Sequence, residues 1–182
     1  FQDFLLNWTS NETIALVSRP SGTAEGFYFT YDTRAGLLKK KLGDILGLEV
    51  KAAPDTRSFL YSAYDTGIRA PRLYWVSDTG TTQNLEVRTM ASRCVFSSID
   101  RAVVYCALDA NPPKGLYPDE WLQGVIELKE LIWKINVKTG EKTLLPLGRF
   151  FDIEQLEISK DDRFLYFTEK ENNSLWSYKL GD

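Results

Sequence analysis

Hydrophobic and polar positions fall into a unit that returns four times along the chain. Each unit opens with an apolar strand, a polar turn and a second apolar strand. These are residues 6–18 (LNWTSNETIALVS), 50–62 (VKAAPDTRSFLYS), 94–106 (CVFSSIDRAVVYC) and 156–168 (LEISKDDRFLYFT). A loop then leads to a third strand with an aromatic near its start, within residues 26–36, 72–80, 131–141 and 174–182. In the first three units a Gly-containing turn opens a fourth strand, at residues 37–42, 84–90 and 142–147. Second strands such as Phe59-Leu60-Tyr61, Val103-Val104-Tyr105 and Phe164-Leu165-Tyr166-Phe167 are apolar throughout, as expected of strands covered on both faces. The aromatics Phe29, Trp133 and Trp176 recur at one repeat position, which predicts packing between units rather than a stacking platform for a ligand.

Unit starts lie 44, 44 and 62 residues apart, so a period of about 44 is broken once, by an insertion of about 18 residues at 111–128 (NPPKGLYPDEWLQGVIEL). Four short strands with tight polar turns, repeated at this period, predict an all-β protein: a β-propeller of four-stranded antiparallel blades. A single twisted four-stranded sheet cannot cover both of its faces, and stacking the sheets around an axis does so. The blades are expected at about residues 4–47, 48–91, 92–150 and 151–182. The last lacks its outer strand, because Asp182 follows directly on a third strand. A start at Phe1 rather than Met suggests a processed or truncated piece. The 182 residues are then either a single propeller domain, closing through another copy, or the C-terminal part of a larger propeller, the reading Phe1 favours. Either way an open blade edge invites self-association or a protein partner.

The hairpin Ser159-x-Asp161-x-Arg163 with Leu165, Tyr166 and Phe167, together with Trp133 and Thr139-Gly140-Glu141 after a third strand, resembles the WD40-like repeats of the TolB type, often called PD40 repeats. The resemblance spans essentially the whole chain. It implies a propeller and leaves function open, since such blades serve unrelated roles. The segment YPDEWLQG before the third strand of unit three is similar to uncharacterised exported propeller-like proteins of bacteria. That likeness implies export to the periplasm, cell envelope or outside. The TolB-type likeness also allows an accessory propeller of a hydrolase or peptidase whose catalytic part lies elsewhere.

Chemistry is sparse. The chain has no His, which removes Ser-His-Asp and Cys-His machinery, and two Cys without His make a zinc site unfavourable. Glu49 and Glu157 do not share a repeat column, so no paired-carboxylate site emerges. No catalytic residue, metal or cofactor is expected, and the chain is read as a non-enzyme. A net charge of −3 and only one short basic run, Lys39-Lys40-Lys41, speak against nucleic acid. No stretch approaches the about 20 apolar residues of a membrane span. Cys94 and Cys106 would face each other across a hairpin, either as a disulfide or as two small buried thiols.

The insertion joins the second and third strands of unit three, on the face that carries the connections between blades. PDEW suggests one helical turn with Pro118 at its first position. Tyr117, Asp119, Glu120 and Trp121 form either a contact surface for protein or carbohydrate, or a cap folded over the blade ends. The sequence thus points to a non-catalytic protein-interaction or scaffolding propeller, with a hydrolase accessory domain or a carbohydrate-binding propeller as alternatives.

Overall fold

Four antiparallel sheets follow one another along the chain, each a meander in strand order. The computed structural model describes residues 3–54 and 57–181. Phe1, Gln2, Asp182 and the tip of the second unit's polar turn, residues 55–56, lie outside the described residues. Blade 1 contains β1 (Phe4–Ser10), β2 (Thr13–Ser18), β3 (Glu25–Asp32) and β4 (Leu37–Leu46). Blade 2 contains β5 (Glu49–Ala52), β6 (Phe59–Asp65), β7 (Ala70–Val76) and β8 (Thr82–Asn84). Blade 3 contains β9 (Cys94–Phe96), β10 (Val103–Asp109), β11 (Glu130–Asn136) and β12 (Lys142–Leu144). Blade 4 contains only β13 (Ile153–Ile158), β14 (Phe164–Glu169) and β15 (Leu175–Lys179). The four-bladed propeller arrangement and the three-stranded last blade are those expected from the repeat. The inner strands of all four blades line one cavity of about 310 Å³. Lys51 reaches across it from blade 2 to Glu157 of blade 4, at 3.4 Å.

Strand register turns the repeat into packing. Tyr61 opposite Tyr74, Cys106 opposite Trp133 and Phe167 opposite Trp176 occupy equivalent places. Tyr61, Cys106, Trp133 and Phe167 face the preceding blade. On the other face of each sheet, Tyr28, Leu73 and Ile132 occupy the equivalent place and point toward the following blade, all of them buried. Fully burying such a side chain contributes about 1.5–3 kcal/mol, which is why the column stays apolar. The series is broken at its ends. Leu16 and Phe29 hold the preceding-blade position in blade 1, and both are only half-buried. Around them Leu6, Trp8 and Leu38 are exposed, while in blade 4 Leu175 is 73% exposed where Leu73 and Ile132 show none of their surface. Among the described residues no core cluster joins blade 4 to blade 1.

Two outer strands are shorter than the pattern predicts. The strand expected at residues 84–90 ends at Asn84, because Glu86 takes a left-handed conformation (φ 56°) that breaks the pleat. Leu85 and Val87 still reach the core, through irregular bonds from Leu85 N–H to the Leu73 carbonyl (3.0 Å) and from Leu73 N–H to the Val87 carbonyl (3.2 Å). The strand expected at residues 142–147 stops at Leu144, and Pro146 two residues on has no N–H with which to extend the ladder.

The Ser-x-Asp-x-Arg turn is a closed local circuit. Ser159 Oγ donates to Asp161 (2.7 Å) and accepts the N–H groups of Arg163 and Phe164 (3.0 Å each). The Ser159 hydroxyl, and after it the Arg163 guanidinium, hold the Asp161 carboxyl down at about 2. Asp162 next to it accepts from the Ser97 hydroxyl and from Ser98 N–H (2.8 Å), tying blade 4 to the corresponding turn of blade 3.

Cys94 and Cys106 are directly paired across β9 and β10 and joined by a disulfide. Their Cα atoms are 4.1 Å apart, a little closer than the about 4.4–6.8 Å typical of disulfides.

Candidate functional site: the inserted segment

The chain leaves β10 at Asp109 and returns at Glu130. In between, α1 (Asp119–Leu122) forms a single turn. Pro118 stands at its N-cap, one place earlier than the sequence suggested, and the Tyr117–Pro118 peptide is cis. Glu120 bends back to accept Leu116 N–H (2.9 Å), satisfying a backbone donor ahead of the turn. Gly124, with φ 76°, ends the turn, and the N–H groups of Val125 and Ile126 close on the Glu120 carbonyl. Tyr117 donates its hydroxyl to the Pro113 carbonyl (2.8 Å). Burial, then the carboxylates of Asp109, Glu130 and Glu120, push that phenol well above the usual tyrosine range.

The segment's apolar side is turned inward. Tyr117, Trp121, Ile126 and Leu128 form a cluster with Met90, and Tyr64 of blade 2 packs against it. Tyr117 and Trp121 keep 1% and 4% of their surface exposed, so neither offers a face to solvent. Asp119 reaches blade 1, accepting Gly22 N–H (2.6 Å) and the Ser21 hydroxyl (3.1 Å). Gly22 has to be glycine here, since a Cβ would lie 2.7 Å from the Tyr117 carbonyl oxygen. Gly115 N–H binds the Arg69 carbonyl of blade 2 (3.0 Å). Toward blade 4, the Trp121 indole N–H donates to Asp152 (2.9 Å), and the Lys170 ammonium donates to the Trp121 carbonyl. One insertion in blade 3 therefore holds blades 1, 2 and 4.

At its centre lies a buried charge network that sequence reasoning missed. Arg93, fully buried, stacks its guanidinium 3.7 Å from the Trp121 ring centroid. Its terminal nitrogens lie 3.6 Å from Glu130 and from Asp152, ion-pair distances too long for hydrogen bonds. Lys170 Nζ also lies over the Trp121 ring, at 3.9 Å, and burial lowers the pKa of its ammonium. Glu130 accepts Ile153 N–H (2.8 Å). Burial raises its carboxyl to about 7, against the pull of Arg93. Nothing in one sequence marks Arg93 or Glu130, since each stands at a strand boundary where a solvated charge is the ordinary expectation.

Beside α1 the inner strands open into a second pocket of about 470 Å³, lined by Glu49, Lys51, Trp121, Glu154 and Glu157 among others. Curvature of the blades brings together acids that the repeat columns keep apart. Glu49 accepts Ser92 N–H (3.0 Å), and burial raises its pKa. Among the described residues no three His, Cys, Asp or Glu side chains are grouped as metal ligands.

The chain resembles several solved proteins in fold. It is similar in fold to TolB from Acinetobacter baumannii, at 17% identity and TM-score 0.63, over 97% of this chain and 41% of that one. An oligogalacturonate lyase in complex with manganese matches at 14% identity and TM-score 0.62, over 95% of this chain and 46% of that one. The β-propeller domain of Myceliophteria thermophila Cps50 (Swd1) matches at 12% identity and TM-score 0.56, over 97% of this chain and 52% of that one. The chain thus has the fold of TolB-type and WD40-type propellers and spans about half the length of the solved chains it matches. No protein-family model matches it, and no curated protein is significantly similar in sequence. No helix among the described residues is long and apolar enough to cross a membrane.

Proposed function

We propose that this chain is a non-catalytic protein-interaction or scaffolding module, forming an arc of a larger propeller outside the cytoplasm. One observation carries the reading: the aromatics exposed for contact belong to the blade faces, not to the insertion. Trp8 of blade 1 is 63% exposed, whereas Trp121 is buried at 4% and tied to Asp152. Sheet faces of this kind suit flat protein surfaces, and a sugar-stacking platform would need the insertion's rings in solvent. Tyr117, Asp119, Glu120 and Trp121 then serve as a clasp that keeps the arc in shape. The Cys94–Cys106 disulfide supports an oxidising compartment.

A carbohydrate or hydrolytic role has one observation in its favour, the pocket where Glu49, Glu154 and Glu157 meet. Titrating the chain with neutral and acidic oligosaccharides, oligogalacturonate included, and assaying lyase, glycosidase and peptidase substrates separates the two. Neither binding nor turnover is expected. Saturable binding or turnover that is lost in Glu49→Gln would replace the scaffold reading.

A further inference from the structure

The geometry points to the groove between blades 2 and 3 as a binding site for the C-terminal end of a partner protein. An apolar last residue lies there on Trp133, with its carboxylate between Arg88 and Lys142. The inference rests on the protein-interaction reading above and places one contact away from the face of blade 1. The groove arises from the backbone. Blade 1 has an outer strand of ten residues, whereas β8 has three. Beyond β8 the left-handed Glu86 breaks the pleat, so that Leu85 and Val87 turn into the core while Glu86 and Arg88 stay exposed. The blade 3 surface that a longer strand would cover is left partly open. Trp133 and Leu108 are therefore only half-buried, although blade 2 stands beside them. Blades 2 and 3 both carry four strands, so both walls of the groove are complete.

The cavity measures about 250 Å³, with Val87, Leu108 and Trp133 as its apolar lining and Glu86, Arg88 and Lys142 among its charged lining. Pockets for drug-sized ligands run to about 300–1,000 Å³, so this one suits a single large side chain with the group next to it. The Trp133 indole N–H has no acceptor among the described residues, whereas Trp121 and Trp176 bond theirs to Asp152 and Ser174. Arg88, Lys142 and Glu86 form no ion pair among the described residues. Asp109, which also lines the cavity, is engaged: its two oxygens accept Asn111 N–H (2.8 Å) and Lys129 N–H (2.9 Å). The unengaged groups leave one positive charge in excess, which a single carboxylate neutralises. Glu86 repels a second acid. An aromatic side chain covers Val87, Leu108 and the Trp133 ring. A chain end supplies the side chain and the carboxylate on one residue.

Fluorescence anisotropy of a labelled short peptide ending in a free phenylalanine tests this. Saturable binding is expected, weakened at least about tenfold when the C-terminus is amidated or the last residue is glycine. Arg88→Gln and Lys142→Gln should each weaken it by about threefold to tenfold, with melting unchanged because neither residue is in the core. The indole signal of Trp133, assigned by its loss in Trp133→Phe, should move during the titration. No saturable binding overturns the inference, as does equal binding of the amidated peptide or unchanged binding in both variants. An amidated peptide with an internal phenylalanine–aspartate pair that binds as tightly also overturns it, since the acid is then not a chain end. Free phenylalanine brings an ammonium to a groove already in positive excess and should compete poorly. Competition at the peptide's own affinity would assign the groove to a free amino acid instead. Failure here leaves the oligosaccharide and turnover assays unaffected, so the two readings fail separately.

Discussion

The insertion in blade 3 and the first face of blade 1 carry similar side chains and have opposite fates. Both are rich in aromatic and aliphatic residues. Trp121 is stacked on Arg93 and hydrogen-bonded to Asp152, with almost no exposed surface. Trp8 and Leu6 stand open at 63% and 68%. By pattern, the irregular segment is where a contact surface is looked for, and the regular repeat is where packing is looked for. The difference arises because a strand's burial depends on the sheet beside it, whereas the insertion brings its own partners across the blade ends. A regular position is core only where a neighbour exists.

The sharpest way to break this contrast is to truncate the two tryptophans. Trp121→Ala should cost about 3–5 kcal/mol, as for a large buried aromatic, and lower the melting temperature accordingly. Trp8→Ala should stay within about 0.5 kcal/mol. Equal losses would mean that blade 1 is packed after all. Repeat-equivalent residues sharpen the point further. Ile132→Ala should lose about 2–5 kcal/mol of stability and Leu175→Ala no more than about 0.5 kcal/mol, read from urea midpoints at constant slope.

A smaller effect comes from pH. Glu130 faces Arg93, Asp152 and Asp109, and burial raises its carboxyl from the ordinary 4.5 to about 7 in the folded state. Between those values the folded chain holds more proton than the unfolded one. Stability is therefore fully present below the unfolded value and is lost as pH rises through about 7, by up to about 3 kcal/mol. Glu130→Gln should flatten that slope in melting curves, and an unchanged slope would assign it to another group. Smallest is Asp119→Asn, which exchanges the carboxylate oxygen that accepts Gly22 N–H for an amide. A loss of about 1 kcal/mol is expected, with the Gly22 amide becoming faster in hydrogen exchange.

The blades were legible because a period of about 44 leaves its mark in every unit, and strand register follows from alternation. Two outer strands came out short because Glu86 and Pro146 act through backbone geometry, which periodicity does not report. The place of the insertion was legible as well, through the spacing of the unit starts. Its inward turn was not. That depends on Asp119 finding Gly22 and on Lys170 reaching the Trp121 carbonyl, contacts between residues roughly 50 to 100 positions apart. Glu49 and Glu157 illustrate the same limit: they share no repeat column, yet they line one pocket.

The clasp also alters how the molecule should come apart. In a plain array of repeats each unit senses only its neighbours, so an end unit can fray while the rest persists. Here one loop of blade 3 links the first blade to the last through Asp119 and Trp121. Loosening blade 4 thus weakens the hold on blade 1, three units away along the chain. The chain gains a cooperativity that the stacked sheets alone do not provide, and its loss of structure should be a single transition rather than an unravelling from either end.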